Sequence, residues 1–346
     1  MKVAVLGASG YTGLELLRLL LQHPELEVAA VTSEQRAGRA VGEAFPALRG
    51  RLDLDFESAA DPASLAGRVE LAFAALPHAA SAPAVEALRE AGVRVIDLSA
   101  DFRLRDLATY REWYGEHPAP ARLGEAVYGL PELHREALVG APLVAVPGCY
   151  PTSALLPLAP LLRAGLVETR GIHVDAKSGV SGAGRKLDEA YLFAELDGDC
   201  HAYKPGFQHR HGPEIEQEAS ALAGEPVRLS FVPHLLPTTR GMATSVYLRP
   251  RGGASAAQAR RELEETYAGE PFVRVLPEGE TPSLRAVVGT NFCDVALVDD
   301  SRNDTWILLS TLDNLGKGAS GQAVQCANLA CGFDETAGLA DTALLP

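Results

Sequence analysis

The sequence predicts a two-part α/β protein, with a doubly wound parallel sheet in the first third and an α+β region on a mostly antiparallel sheet after it. Three observations carry this. Short continuous apolar runs alternate with helical patterns near the N-terminus, a glycine-rich turn follows the first run, and strand-like segments crowd together in the second half with few helices between them. Lys2–Leu6 reads as a buried strand, Tyr11–Gln22 has leucines at helical spacing, and Glu27–Val31 is again a strand, which makes a βαβ unit. Val69–Ala75, a helix over Ala79–Ala91, and Val93–Asp97 continue the alternation. A strand over Leu143–Val146 precedes an apolar helix over Pro151–Leu162. Ile172–Ala176, Val227–Val232, Met242–Leu248, Phe272–Leu276, Phe292–Val298 and Trp306–Leu312 form the second set of strands, and Ala319–Cys331 is an Ala-rich helix expected to return to the first domain. The expected division is residues 1–148 with 315–346 as a dinucleotide-binding domain, and 149–314 as a catalytic and oligomerisation domain.

Composition narrows the function classes. At 346 residues and 47 % hydrophobic content the chain can bury a large core, and its formal charge of −14 argues against nucleic acid or an acidic membrane as partner. Five cysteines without regular spacing give neither a disulfide framework nor a zinc pattern, so a reducing cytoplasm is expected. There is no signal-like segment before the first strand and no apolar run of the roughly 18–20 residues that a membrane span needs.

Gly7-Ala-Ser9-Gly10-Tyr11-Thr12-Gly13 lies between the first strand and first helix. Glycines there let backbone N–H groups approach a pyrophosphate at a helix N-terminus, and Gly13 permits close helix–sheet packing. The G-x-x-G-x-x-G spacing departs from the usual fingerprint, but its strand–turn–helix setting points to a Rossmann-like dinucleotide site. The second strand ends in Thr32-Ser33-Glu34-Gln35-Arg36, offering hydroxyls and a guanidinium for a 2′-phosphate; NADPH is expected, with Glu34 keeping NAD open.

Gly148-Cys149-Tyr150-Pro151-Thr152 sets one cysteine between a strand end and a helix start, where the first-turn N–H groups stabilise a thiolate. The bland alternative is a small buried hydrophobe. His209-Arg210-His211 is the best source of a base, at the mouth of a helix expected to begin near Pro213, with His209 farther out on the entering loop. His23, His117 and His134 lie in apparent surface segments and receive no role, and His-x-His lacks partners for a metal site. Ser99-Ala-Asp101-Phe-Arg103, the Lys177-Ser178 to Arg185 loop, and Arg240 are candidates for binding phosphate or carboxylate, with the assignment between them open; a plain surface loop is the alternative for 177–185.

Gly7–Gly13, Leu98–Arg103, Val146–Thr152, Lys177–Gly184, His209–His211 with Pro213–Ile215, and Asp313–Leu315 with Lys317–Ala319 together resemble the N-acetyl-gamma-glutamyl-phosphate reductases, relatives of the aspartate-semialdehyde dehydrogenases. The match runs through the chain in order. Gln208 and Gly212 depart from the pattern around the histidines, which leaves substrate contacts open. The resemblance implies NADPH-dependent reduction of an acyl phosphate in arginine biosynthesis by a cytoplasmic homodimer or homotetramer. It implies Cys149 as nucleophile forming a thioester, His211 as acid/base ahead of His209, and Asn314 with Lys317-Gly318 near the nicotinamide. Two other classes stay open. A Cys/His hydrolase or acyltransferase needs no dinucleotide, and a dinucleotide sensor needs no reactive thiol. Within the favoured class, aspartyl or carrier-bound aminoadipyl phosphate are alternative substrates, and Tyr150-Pro151 disfavours the carrier-bound one.

Overall fold

The structure, a computed structural model, describes residues 1–58, 61–185, 187–339 and 342–343. The chain divides into two compact units, Met1–Pro147 with Ala319–Leu339, and Gly148–Gly318. Residues 315–318, expected with the first unit, fall in the second. The buried Asp313 carboxylate holds them there by accepting the N–H groups of Leu315 (2.9 Å) and Gly316 (3.3 Å). Of the C-terminal residues assigned to the first domain, 340–341 and 344–346 lie outside the described residues.

The first unit is a parallel sheet of seven strands: β1 (Lys2–Leu6), β2 (Glu27–Thr32), β3 (Phe56–Glu57), β4 (Leu71–Ala74), β5 (Arg94–Asp97), β6 (Val127–Tyr128) and β7 (Leu143–Ala145), in the order β3-β2-β1-β4-β5-β7-β6. The period of two in β1 sends Val3 and Val5 to one face, where they join Leu16, Leu17 and Leu20 of the helix Tyr11–Leu20 and Val324 and Ala327 of the helix Gly321–Cys331. Ala4 and Leu6 point to the other, against Val85 and Leu88 of the helix Ser81–Glu90. Burial on both faces explains why these strands read as unbroken apolar runs. The order reverses between β1 and β4, so the glycine turn after β1 opens at the switch point where such sheets bind ligands. His23 and His117 correct the sequence reading: both are buried. The His23 ring pairs with Asn328 Oδ1 at 2.8 Å and that of His117 with the Asp101 carbonyl at 2.7 Å. A satisfied polar tip lets each ring enter the core.

The second unit holds β8 (Ile172–Gly179), β9 (His201–Ala202), β10 (Leu229–Leu236), β11 (Met242–Leu248), β12 (Val273–Val275), β13 (Cys293–Asp300) and β14 (Thr305–Leu312). Their order is β12-β13-β14-β11-β8-β10-β9; the β12/β13 and β8/β10 pairs are parallel and the other four antiparallel. The helix Cys149–Arg163 lies over β11 and β14, beside the helices His211–Ala223 and Ala256–Tyr267, the last of which the sequence reading missed.

The helix Cys149–Arg163 carries Pro157 and Pro160 in its interior, where each lacks the N–H that would bond the carbonyl four residues back. Both orphaned carbonyls are answered from outside: the Ser310 hydroxyl donates to Ser153 O (2.6 Å), and the Tyr267 hydroxyl donates to Leu156 O. Removing one such donor leaves a buried carbonyl unpaired, which costs about 1–3 kcal/mol. Tyr267→Phe is therefore expected to lower the unfolding free energy by that amount in chemical denaturation; an unchanged midpoint would show that the helix does not depend on this support.

Candidate active site

In the first unit the turn Gly7–Gly13 is shaped by close approach. Gly7 sits at φ +72°, and a Cβ there would lie 2.4 Å from Ala75 O; a Cβ at Gly13 would lie 2.6 Å from the Ala8 Cα. Gly10 is the N-cap of the helix Tyr11–Leu20, so the N–H groups of Tyr11, Thr12 and Gly13 point out of its first turn. The turn is tied to the end of β2: Gly7 N–H donates to Thr32 Oγ1 (3.3 Å), and the Ser9 and Ser33 hydroxyls are 2.8 Å apart. Arg36 lies 5.4 Å over the Phe45 ring, and Glu34 accepts from the Ser58 hydroxyl at 2.8 Å. Arg103, also in this unit, donates to the carbonyls of Val146 (2.7 Å) and Leu98 (2.8 Å), bracing the chain where it leaves β5 and β7.

In the second unit a cavity of about 470 Å³ is lined by Cys149, Tyr150, Ser178, Tyr203, His209 and His211, with His201, Lys204 and Arg210 adding basic groups. Cys149 is the first residue of the helix Cys149–Arg163, with Gly148 as N-cap. The helix thus starts two residues before the expected Pro151, and it places the sulfur on the first turn itself. That turn presents the N–H groups of Cys149 and Tyr150, Pro151 having none. The second helix also begins early, at His211 in place of Pro213. The His211 ring lies directly on Gly148: a Cβ at that glycine would fall 2.4 Å from His211 Nε2. Glu214, one turn further along, is 1 % exposed and accepts the Gly148 N–H at 2.9 Å. Gly318 closes the other side, since its Cβ would stand 2.8 Å from that of Cys149.

His209 does not sit farther out, as the entering loop suggested. Its ring meets those of Tyr150, Tyr203, Phe231 and His211 at centroid distances of 5.7, 5.6, 5.4 and 4.8 Å. Burial, with Lys204 and Arg210 adding repulsion, pushes its pKa down to about 4. The neutral ring accepts the His211 N–H on Nδ1 (3.1 Å), which puts its own proton on Nε2. The Tyr150 and Tyr203 hydroxyls are 2.9 Å apart, Tyr150 also reaches the His234 carbonyl (3.2 Å), and burial raises both phenols well above the ordinary tyrosine value.

The other expected contacts separate. Lys177 and Ser178 belong to β8, whose alternation turns Ser178 into the cavity and Lys177 to the opposite face, where it pairs with Asp175. The N–H groups of Gly179, Val180 and Ser181 are committed to the carbonyls of Gly241, Thr238 and Thr239, so they build no anion cradle. Arg240 is held by Asp313 at 3.0 Å. Asn314 accepts from Gly241 N–H (2.8 Å) and donates to Ser181 Oγ (2.9 Å), fastening the same loop. Sequence reasoning used Tyr150 only as a mark of substrate preference and gave no role to Glu214, although both stood inside quoted motifs; Tyr203 carried no local signal.

A family model described as semialdehyde dehydrogenase, NAD binding domain, matches residues 2–141, and one described as the dimerisation domain of the same group matches 149–314. The N-acetyl-gamma-glutamyl-phosphate reductase of Citrifermentans bemidjiense is 52 % identical, covering 98 % of this chain and 97 % of that protein. The chain belongs to the N-acetyl-gamma-glutamyl-phosphate reductase family. The reductases of Geobacter sulfurreducens (51 %) and Pelobacter propionicus (50 %) match over all of both chains. The fold extends further: aspartate semialdehyde dehydrogenase II of Vibrio cholerae superposes with a TM-score of 0.71 at 22 % identity, over 96 % of this chain and 98 % of that one. Membership in this reductase family makes the chain an oxidoreductase of amino-acid biosynthesis that uses NADP(H). Among the described residues no helix is long and apolar enough to cross a membrane.

Proposed function

We propose that the protein reduces N-acetyl-gamma-glutamyl phosphate to the 5-semialdehyde, releasing phosphate, through a thioester on Cys149, in the cytoplasm. The observation that carries this reading is the His211 ring packed on Gly148, next to a cysteine at the start of a 15-residue helix. The Cys149 thiolate attacks the acyl carbon, the sulfur–carbon bond forms and the bond to phosphate oxygen breaks. When bound, the dinucleotide supplies a hydride for the thioester carbonyl carbon. The first-turn N–H groups of Cys149 and Tyr150 face the oxygen that becomes negative. His211 accepts the thiol proton at the outset and gives a proton to that oxygen after hydride arrives; it takes the proton back as the carbon–sulfur bond breaks to release aldehyde and thiolate. His209, neutral, and the paired tyrosines fix the acyl chain by hydrogen bonds. Lys204 and Arg210 at the cavity offer charge for the phosphate and carboxylate groups.

The first unit holds NADPH in this reading. Its turn is open where a Cβ would intrude, Glu34 accepts from Ser58, and Arg36 supplies the positive charge for a 2′-phosphate beside the Ser9–Ser33 hydroxyl pair. Arg36→Ala is expected to reduce the NADPH preference in kcat/KM by about 10- to 150-fold, equivalent to the roughly 1.5–3 kcal/mol of a charge-assisted hydrogen bond; an unaltered ratio would remove Arg36 from the site.

The second unit pairs with that of another copy. Helices cover one side of its sheet, while the other side presents Val232, Tyr247, Val298, Ile307 and Leu309 around the Asp175–Lys177 ion pair and His234.

The test of the function is phosphate-dependent NADP⁺ reduction with N-acetylglutamate semialdehyde, aspartate semialdehyde and the aminoadipate analogue. The first should exceed the others in kcat/KM by at least about 100-fold, since a site built to bond a polar group rejects analogues lacking it. Equal rates with the three aldehydes, or NADP⁺ reduction only with one of the other two, would overturn the assignment.

A further inference from the structure

The reaction just proposed uses Cys149 and His211 but gives no work to the buried carboxylate beside them. Glu214 is 1 % exposed, and a carboxyl group is costly to bury unless something at the site answers it. Its own helix begins three residues earlier at His211, and its Oε1 accepts the N–H of Gly148 at 2.9 Å. That N–H belongs to the N-cap residue of the nucleophile helix. It points away from the helix hydrogen-bond ladder, so without Glu214 nothing in the ladder would fix it.

Gly148 is thus gripped from two directions by one helix. Its N–H is held by Glu214, and its Cα carries the His211 ring, which leaves no room for a side chain. Residues three apart on a helix share a face, so Glu214 and His211 form a single rigid clamp. Cys149 follows Gly148 directly, and its φ and ψ are set by where that peptide is held. We propose that Glu214 is a positioning residue: by bonding the Gly148 N–H it fixes the Cys149 sulfur at the distance and angle from His211 that the thiol–imidazole proton exchange requires. It touches neither substrate nor cofactor in this role, and it acts through the backbone.

This rests on the Cys149–His211 reading above, and the experiment separates the two. Glu214→Gln keeps an oxygen acceptor at the same reach, Glu214→Asp keeps the charge but falls one methylene short, and Glu214→Leu has neither. Each is compared with the full-length protein for kcat, NADPH Kd, thermal midpoint and the pH dependence of Cys149 alkylation by iodoacetamide. Glu214→Gln should stay within about 5-fold of the parent kcat. Glu214→Asp should lose at least about 10-fold and Glu214→Leu about 100-fold, the scale expected for a displacement near 1 Å. In both, the alkylation midpoint should move up toward the ordinary thiol value near 8.5, with NADPH affinity unchanged. Retention of full activity by Glu214→Asp, or a loss in Glu214→Gln as large as in Glu214→Leu with folding intact, overturns the proposal. Should Glu214→Leu not fold, the Gln and Asp variants decide alone. If the parent shows no reductase activity, the functional reading fails, while the alkylation midpoints still report whether Glu214 sets the thiol.

Discussion

Cys149→Ser is expected to abolish acyl-phosphate reduction while leaving NADPH binding within about 2-fold. The sulfur lies on the first turn of the helix Cys149–Arg163, in a different unit from the glycine turn that would hold the dinucleotide. A serine would fit the space, but its alkoxide is far harder to form near neutral pH than a thiolate, and no covalent intermediate would accumulate. Loss of the covalent route should cost at least about 3 kcal/mol in the barrier, or more than 100-fold in kcat. Activity above one hundredth of the parent would remove Cys149 from the nucleophile's role.

The second large effect concerns the two histidines. His211→Ala should lower kcat by about 10²- to 10⁴-fold and remove one limb of the pH profile. His209→Asn, which keeps an acceptor where Nδ1 receives the His211 N–H, should retain that limb and act chiefly on KM. The reason is electrostatic: a ring pushed down to about 4 stays neutral near neutrality and is too weak a base to take up the exchanged proton. The same depression has a sign for stability. Between pH 4 and 6.5 the unfolded chain binds a proton at His209 that the folded chain does not, so His209 makes the fold less stable as pH falls through that window. His209→Asn should flatten the decline in thermal midpoint between pH 6.5 and 4. A pH limb that vanishes with His209 and survives loss of His211 would reverse the assignment.

The first sheet was legible because β1, β4 and β5 are buried on both faces and their composition shows it. β11 was found at its observed ends, bounded by Arg240-Gly241 and Arg249-Pro250. The strand–glycine–helix junctions at Gly7–Gly13 and Gly148–Cys149 were legible for the same reason: local chain geometry demands particular residues there. What escaped depended on partners distant in sequence. Pro157 and Pro160 are tolerated because of hydroxyls at 310 and 267. The burial of His23 is made possible by Asn328, and Glu214 gains its function only when a residue 66 positions away is brought beside it. Lys177 shows a further limit. Its proximity in sequence to Ser178 suggested a shared loop, but in a strand neighbours face opposite ways, and Lys177 is paired with Asp175 away from the cavity.

The thioester itself offers the most direct test of the account. Incubating the protein with N-acetylglutamate semialdehyde and NADP⁺ in the absence of phosphate should load the acyl group and stall, because the acceptor that releases it is missing. Intact-mass measurement followed by peptide mapping should then show one acyl adduct per chain, on Cys149, discharged by adding inorganic phosphate and absent from Cys149→Ser. NADPH formation without any adduct, or an adduct on another residue that phosphate does not discharge, would contradict the covalent mechanism.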